Sequence, residues 1–289
     1  MPITVVSWGE LLWDLFPDGA RLGGAAANVA YHASQLGAEV ILVSRVGADE
    51  LGARARSELE AAGVNPSFIQ VDPERPTGTV RVEIRDGEPQ YKIATEVAWD
   101  RIGWSQDLSK VMQRASAVCF STLAQRSPPG FDALRGAFAD LPASAARICD
   151  LNIRKPFISP ALMEQALALA TVVKLNQSEA QLLAQLFDVS DPIQWLLGRG
   201  AIHTVALTRG AHGSLLVRRS EHVDHPGLAL TSNGGDAVGA GDAFVAVLAV
   251  ELARGTPLEV LSERANRYSS YVASQSGAMP PMPAYLRNT

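Results

Sequence analysis

The segment Gly234 to Phe244 reads GGDAVGAGDAF and runs directly into the apolar stretch VAVLAVELA. Gly239, Ala240 and Gly241 open a helix there. Their small side chains leave the first-turn N–H groups bare, and such groups have no partner within the helix. Together with the helix dipole they form an anion site. A transferring phosphoryl group needs donors placed in this way. Asp242 follows in the same turn and can aim a carboxylate at whatever lies above. In phosphoryl transfer the protein mostly positions and neutralises, and one carboxylate accepts the proton of the attacking hydroxyl. A plainer account also fits: small residues for close packing, and an Asp that complements the dipole. Asp236 and Asp242, bracketing the helix start, weigh against it. Neither G-x-x-x-x-G-K-[ST] nor a G-x-G-x-x-G after the first strand occurs, which excludes a P-loop and a dinucleotide fingerprint.

Further polar groups recur at predicted element ends, each with two readings. Gly23 and Gly24 let backbone approach a ligand, and Asn28, in the helix that follows, offers donor and acceptor to a hydroxyl. The same residues serve as a helix start with local capping. Asp14, after the first strand in GELLWDLF, is a hydroxyl acceptor or a turn residue. Asp150, Asn152 and Arg154 alternate, so a strand puts them on one face, as a binding row or a plain surface edge. Asn176 and Glu179 in KLNQSE have capping-box spacing. Thr208, Gly210 and Gly213 in TRGAHG end a strand at a tight turn. His32, His203, His222 and His225 have no partner spacing and read as incidental.

The elements that must position these groups alternate along the chain. Strands are expected at Ile3–Ser7, Val40–Val46, Ala117–Phe120, Arg147–Asn152, Thr171–Leu175 and Thr204–Thr208. Helices are expected at Ala25–Leu36, with Gly37 as its stop, at Glu50–Ala62, and near 131–139, 160–170 and 178–187. This is the rhythm of a largely parallel sheet covered on both faces. One stretch departs from it. Thr79 to Arg85 and Gln90 to Thr95 alternate in period 2 around Asp86-Gly87, a hairpin signal. Pro73, Pro76 and Gly78 lead into it as hinges. A single domain over 1–289 is expected, with a lid from about 10–22 and 76–98.

The bulk numbers agree. With 289 residues, 47% apolar and 19% charged, the chain has material for a sizeable core and not the composition of disorder. A net charge of −5 argues against nucleic-acid and anionic-membrane partners. Cys119 and Cys149 lie in short apolar runs and read as buried strand thiols, with nothing to support a disulfide or a metal spacing. The N-terminus has no basic n-region or cleavage site. No apolar run reaches the roughly 18 residues of a spanning helix, so a cytoplasmic location is the default.

On these motifs the chain resembles the PfkB (ribokinase-like) carbohydrate kinases. DAVGAGDAF is similar to the second signature of that family, usually Asp-Thr-x-Gly-Ala-Gly-Asp, and GGAAANVA (Gly23 to Ala30) to the first. Order and distance match, and the likeness runs from Gly9 to about Pro283. The resemblance implies a three-layer α/β/α sandwich of the ribokinase type, mostly parallel, with a small β lid. It implies an ATP-dependent sugar kinase with Asp242 as catalytic base and the backbone of Gly239, Ala240 and Gly241 as anion hole. Asp14, Gly24, Asn28 and Arg154 then hold the sugar. Asn176, Thr208, Gly210, Gly213 and Asn266 match the nucleotide side, and Glu179 the magnesium network through water. Asp236 and Gly277 match a potassium site.

Within the family the hairpin region and DLNIR look most like fructokinases. 2-Keto-3-deoxygluconate kinase shares D-x-N-x-R and is the runner-up. A nucleoside kinase is third, with Trp13, Phe16 and Trp99 as an aromatic platform for a purine. A catalytically silent sugar-binding protein and a dinucleotide oxidoreductase are the rivals from other classes. Two departures stand out. Ala237 replaces the usual threonine. Leu15 to Leu22 is short for a lid strand pair, which implies a less covered sugar and raised ATP turnover without sugar. Expected partners are ATP and a small sugar, with no nucleic acid or membrane, in a monomer or homodimer.

Overall fold

A computed structural model of the chain describes residues 2–85, 88–219, 221–228 and 235–287. The strands are β1 (Thr4–Trp8), β2 (Leu12–Phe16), β3 (Gly19–Gly23), β4 (Glu39–Gly47), β5 (Ile69–Asp72), β6 (Gly78–Arg85), β7 (Glu88–Ile93), β8 (Ala117–Ser121), β9 (Ala146–Asp150), β10 (Val172–Asn176), β11 (Thr204–Thr208), β12 (Ser214–Arg218) and β13 (Glu221–His225). The helices are α1 (Ala25–Gln35), α2 (Glu50–Ala61), α3 (Gln106–Met112), α4 (Pro128–Phe138), α5 (Pro160–Leu169), α6 (Gln177–Phe187), α7 (Pro192–Leu197), α8 (Ala240–Arg254), α9 (Leu258–Ala273) and α10 (Ala284–Arg287).

Nine strands form the main sheet in the order β13-β12-β11-β10-β9-β8-β1-β4-β5. From β11 to β5 every pairing is parallel, and β12 and β13 add an antiparallel edge. Alternate residues of each strand feed two separate cores. Val5, Leu42, Cys119, Ile148 and Val172 meet α1, α2, α8 and α9 on one face. Val6, Val43, Val118, Cys149 and Val173 meet α3 to α7 on the other. These β-branched runs buried on both faces are what a covered parallel sheet requires. Cys119 and Cys149 therefore lie on opposite faces, and both thiols are free and buried. Helix α8 is buried without interruption from Ala243 to Glu251, as suits a helix with no solvent face.

A second sheet has four strands in the order β3-β2-β6-β7. The short Leu15 to Leu22 segment supplies a strand pair to it, because Phe16 pairs with Gly19 across a tight Pro17-Asp18 turn. The Asp86-Gly87 turn expected between β6 and β7 lies outside the described residues, as does Gly234.

Two expectations are corrected. The helix placed near 131–139 begins at Pro128, where Ser127 caps Gly130 N and two prolines occupy the first turn. The row Asp150, Asn152 and Arg154 does not share a strand face. Strand β9 ends at Asp150, and Asn152 takes a left-handed φ of 38°, which breaks the alternation. Arg154 instead forms an isolated bridge with Phe157.

Most helices start on a side-chain cap: Asp49, Ser105, Ser127, Ser159, Asn176 and Asp191 each accept a first-turn N–H. Helices α1 and α8 start instead at Gly24 and Gly239, with no side-chain cap. Their first-turn donors stay available.

Candidate active site

The polar groups collect where the parallel strands end, the edge at which open α/β sheets bind ligands. Glu10 follows β1, Ser121 ends β8, Asp150 ends β9, Asn176 ends β10 and Thr208 ends β11.

The start of α8 is built around two glycines. Gly239 has φ 79°, and a Cβ there would collide with the Ala278 carbonyl. A Cβ on Gly241 would lie 3.1 Å from Lys174 Nζ. Ala240 N–H makes a long 3.4 Å bond to Ala237 O, while the N–H groups of Gly241 and Asp242 have no acceptor among the described residues. That leaves a pair of aligned amides at the positive end of a 15-residue helix.

Asp242 Oδ2 accepts a 2.7 Å hydrogen bond from Asn28 Nδ2. The side chain keeps some contact with water at its rim, but the groups around it strip most of its hydration. This desolvation is the main cause that pushes its carboxyl up to about 7. Negative charge on Asp150 and Glu10 adds to the rise, while Asn28 and the Lys174 ammonium oppose it. A carboxylate that titrates near neutrality is suited to take a proton from a hydroxyl.

Lys174 and Asp150 form a buried pair, with Nζ 3.1 and 3.2 Å from the two carboxylate oxygens. Burial alone would lower the lysine. Asp150, Glu179 and Asp242 outweigh it, so Lys174 stays charged. Sequence reasoning passed over Lys174. The available signal was a lysine inside the apolar strand VVKLN.

Glu10 was passed over as well. It is 2% exposed, and Ser121 Oγ lies 3.3 Å from its Oε2. The backbone N–H of Ala25 favours its charged form. Burial raises its carboxyl, and Arg154 pulls the other way. Asp14 is raised by burial too, with Arg154 and Arg21 opposing. Arg154 is exposed but close enough to act on both acids. Gly23 and Gly24 are needed here. A Cβ on Gly23 would lie 2.5 Å from Asp14 Oδ2, and one on Gly24, at φ 107°, would enter the Glu10 carbonyl. Asn28 Oδ1 is buried and has no donor among the described residues.

On the other side, Asn176 and Glu179 make the full capping box, with bonds of 2.9 and 2.8 Å. Glu179 Oε1 also accepts from Ile153 N at 2.9 Å. Each oxygen keeps lone-pair capacity, so the cap leaves room for a water. Thr208 Oγ1 leans on Leu175 O at 3.4 Å. Gly210 and Gly213 both take positive φ, and Gly213 packs against Gly227 too closely for any side chain. Asn266 is buried and donates its amide to Ser214 Oγ and Ser262 O, both at 2.8 Å, so that group is committed inside the fold. Asp236 and Gly277 meet directly: Gly277 N–H donates to Asp236 Oδ2 at 3.1 Å, and Val238 N–H to Oδ1.

Two of the three aromatic residues read as a purine platform lie inside the fold. Trp13 and Trp99 are 0% and 1% exposed. Arg54 covers the Trp13 ring, Arg126 the Trp99 ring and Arg21 the Phe16 ring.

His32, read as incidental, is a structural strut. Its Nε2 donates to Ala278 O at 2.9 Å, and its Nδ1 accepts from Tyr268 Oη at 2.8 Å. Burial lowers its pKa to about 4, so the ring stays neutral.

The chain is 29% identical to a fructokinase of Escherichia coli over 95% of this chain and 94% of that one. It is 28% identical to an aminoimidazole riboside kinase of Salmonella typhimurium over 95% and 90%. A sugar kinase of Pyrococcus horikoshii, solved in complex with ATP, superposes with a TM-score of 0.78 at 26% identity, over 96% of this chain and 94% of that one. Residues 19–285 match the pfkB family of carbohydrate kinases. The chain belongs to that family and is an ATP-dependent sugar kinase.

Proposed function

We propose that the protein transfers the γ-phosphoryl group of ATP to a hydroxyl of a small neutral sugar, fructose first, with Asp242 as the base. The observation that carries this is the Asn28–Asp242 hydrogen bond at the uncapped start of α8. It joins a carboxylate of near-neutral pKa to a sugar-facing amide, directly beside bare backbone donors. The sugar hydroxyl then sits between Asp242 and the γ-phosphorus. Asp242 takes its proton as the oxygen attacks. The Gly239 to Gly241 backbone, with the N–H of Asp242, offsets charge that develops on the phosphoryl oxygens. Lys174, under Gly241, adds a fixed positive charge.

Asp14, Asn28, Gly24 and Arg154 are proposed to hold the sugar, with the unpaired Asn28 Oδ1 accepting one of its hydroxyls. Glu10, Asp14 and Asp242 outnumber Arg154 in this pocket. Such a lining favours a neutral polyol over the carboxylate of 2-keto-3-deoxygluconate. The second sheet, within residues of about 10–22 and 76–98, serves as the lid, and closure excludes water.

Asn176, Thr208, Gly210 and Gly213 are proposed to lie along the nucleotide, with Asn266 supporting that wall from behind. The site is rich in carboxylates, and ATP brings more negative charge. A hydrated magnesium ion beside Glu179 and Asp150 fits this imbalance and, when bound, neutralises the β- and γ-phosphates. The Asp236 oxygens each accept one N–H and keep capacity for a potassium ion near Gly277.

ADP release should be measured with Mg-ATP against fructose, 2-keto-3-deoxygluconate, ribose and adenosine. Fructose is expected to drive turnover, and Asp242→Asn to remove it. Turnover driven only by the acidic sugar would overturn the charge argument. Full activity of the Asn variant would remove Asp242 as base.

A further inference from the structure

Far along α8 from Asp242, a cavity of about 320 Å³ lies between the end of α1, α8, α9 and α10. Four guanidiniums line it, from Arg254, Arg264, Arg267 and Arg287, against one lining carboxylate among the described residues, Glu251. Glu251 is 1% exposed, and its oxygens are already engaged. Arg254 Nη1 and Arg264 Nη1 each lie 2.7 Å away, and Thr256 Oγ1 donates at 2.6 Å. One negative charge therefore serves two of the four arginines. Arg267 is no closer than 4.0 Å to the Glu263 carboxylate. Among the described residues, the one hydrogen bond from the Arg287 guanidinium is a 3.4 Å contact to the neutral Gln35 Oε1. Arg264 Nε is buried without an acceptor among the described residues. Guanidiniums present rigid N–H forks that match phosphate oxygens, and the volume is at the small end of ligand pockets.

We propose that this cavity is a second anion site, built for a phosphate group, and that its occupancy is felt at the start of α8. Tyr268 lines the cavity, and its hydroxyl donates to His32 Nδ1. His32 holds the Ala278 carbonyl, against which Gly239 packs with no room for a Cβ. Helix α8 itself joins the two places, with Glu251 at one end and Asp242 at the other. A phosphate drawing Arg267 and Arg287 inward presses on Tyr268, and that pressure reaches the wall of the anion hole.

The test is calorimetric titration of inorganic phosphate into the full chain saturated with magnesium and a non-hydrolysable ATP analogue, which fills the catalytic anion hole first. One further phosphate per chain is expected. Arg267→Gln/Arg287→Gln, which leaves both Glu251 ion pairs in place, should weaken it at least tenfold. Arg218→Gln, in a separate basic patch with Arg147 and Arg219, should leave it unchanged. No phosphate bound beyond the analogue, or equal weakening by Arg218→Gln, overturns the site. Repeating the titration with a hexose monophosphate separates the sources: tighter binding assigns the cavity to a phosphorylated sugar, and weaker binding to the free ion. None of this depends on turnover, so it stands apart from the substrate reading. For the coupling, saturating phosphate should change the KM for ATP at least twofold in the wild type and not in Tyr268→Phe. A KM that phosphate leaves unchanged, or changes equally in the Phe variant, removes that part.

Discussion

Asp242→Asn should abolish activity and stabilise the fold in the same stroke. The carboxyl titrates at about 7 in the folded chain against an ordinary 3.8. The native state therefore holds a proton that the unfolded chain has already released. Stability falls as pH rises from about 4 to about 7, and then stays at its lower level. The difference in pKa corresponds to a penalty on the order of 4 kcal/mol at pH 8. Asparagine cannot ionise, yet its Oδ1 can still accept the Asn28 amide. The variant should equal the wild type in stability near pH 4 and exceed it by a few kcal/mol at pH 8, in paired urea titrations. Over the same range wild-type kcat/KM should climb with pH through about 7, as the base ionises. The Asn variant should run flat and lower by about 100- to 10,000-fold. A variant no more stable at pH 8 than the wild type would show that Asp242 is better solvated than its surroundings imply. A wild-type profile with no inflection near neutrality would refute its role as the base.

Removing one member of the buried Lys174–Asp150 pair should be far worse than removing both. Lys174→Met should cost about 3–5 kcal/mol, while Lys174→Met/Asp150→Leu should recover most of the stability without recovering turnover, as denaturant curves and ADP release will show. Gly239→Ala places a Cβ against the Ala278 carbonyl at a left-handed φ; it should lose about 1–2 kcal/mol and raise the KM for ATP at least tenfold. Asn28→Ala removes the bond that holds Asp242 down; the kcat/KM profile should move to higher pH as the KM for sugar rises, and an unmoved profile counts against the contact. His32→Gln should lessen acid sensitivity. Its lowered pKa means stability is lost as pH falls from about 6.5 towards about 4, on the order of 3 kcal/mol in the wild type.

Much of this was legible because backbone constraints leave marks in residue type. The run from Gly239 to Asp242 announces a helix start with no room for side chains, and the glycine geometry there bears that out. The alternation of β-branched strands with helix-period segments implies a covered parallel sheet, which is the fold observed. The cap at Asn176 and Glu179 was equally readable, since both partners lie within one turn. What escaped was long-range. Nothing local says that Glu10 feels the backbone of Ala25, fifteen positions later in the chain, or that Lys174 meets Asp150 across β10 and β9. His32 looked incidental because its partners, Tyr268 and Ala278, are more than two hundred residues away in sequence. The polar row at Asp150, Asn152 and Arg154 misled for the opposite reason. Its period was right for a strand, but one left-handed residue ended the strand early.

The same comparison explains why the site can tolerate its own charge. Asp150, Glu179 and Asp242 all act on the buried ammonium of Lys174, and Glu10 adds its charge beside Asp242; burial raises the carboxyls of Glu10, Glu179 and Asp242. Such a group opposes folding unless something larger holds it together. That something is α8, whose nine consecutive buried residues from Ala243 to Glu251 lie between α1, α9 and the sheet. Each Å² of apolar surface that α8 buries contributes roughly 25 cal/mol, which opposes the electrostatic cost at its own first turn. The proposed anion hole and the core are therefore parts of one element. A substitution such as Phe244→Ala, in the second turn and away from any ligand, should reach the active site as surely as one at Gly241. The packing of α8 sets where its first amides point, and only well-aimed amides can stabilise charge that appears in the transition state.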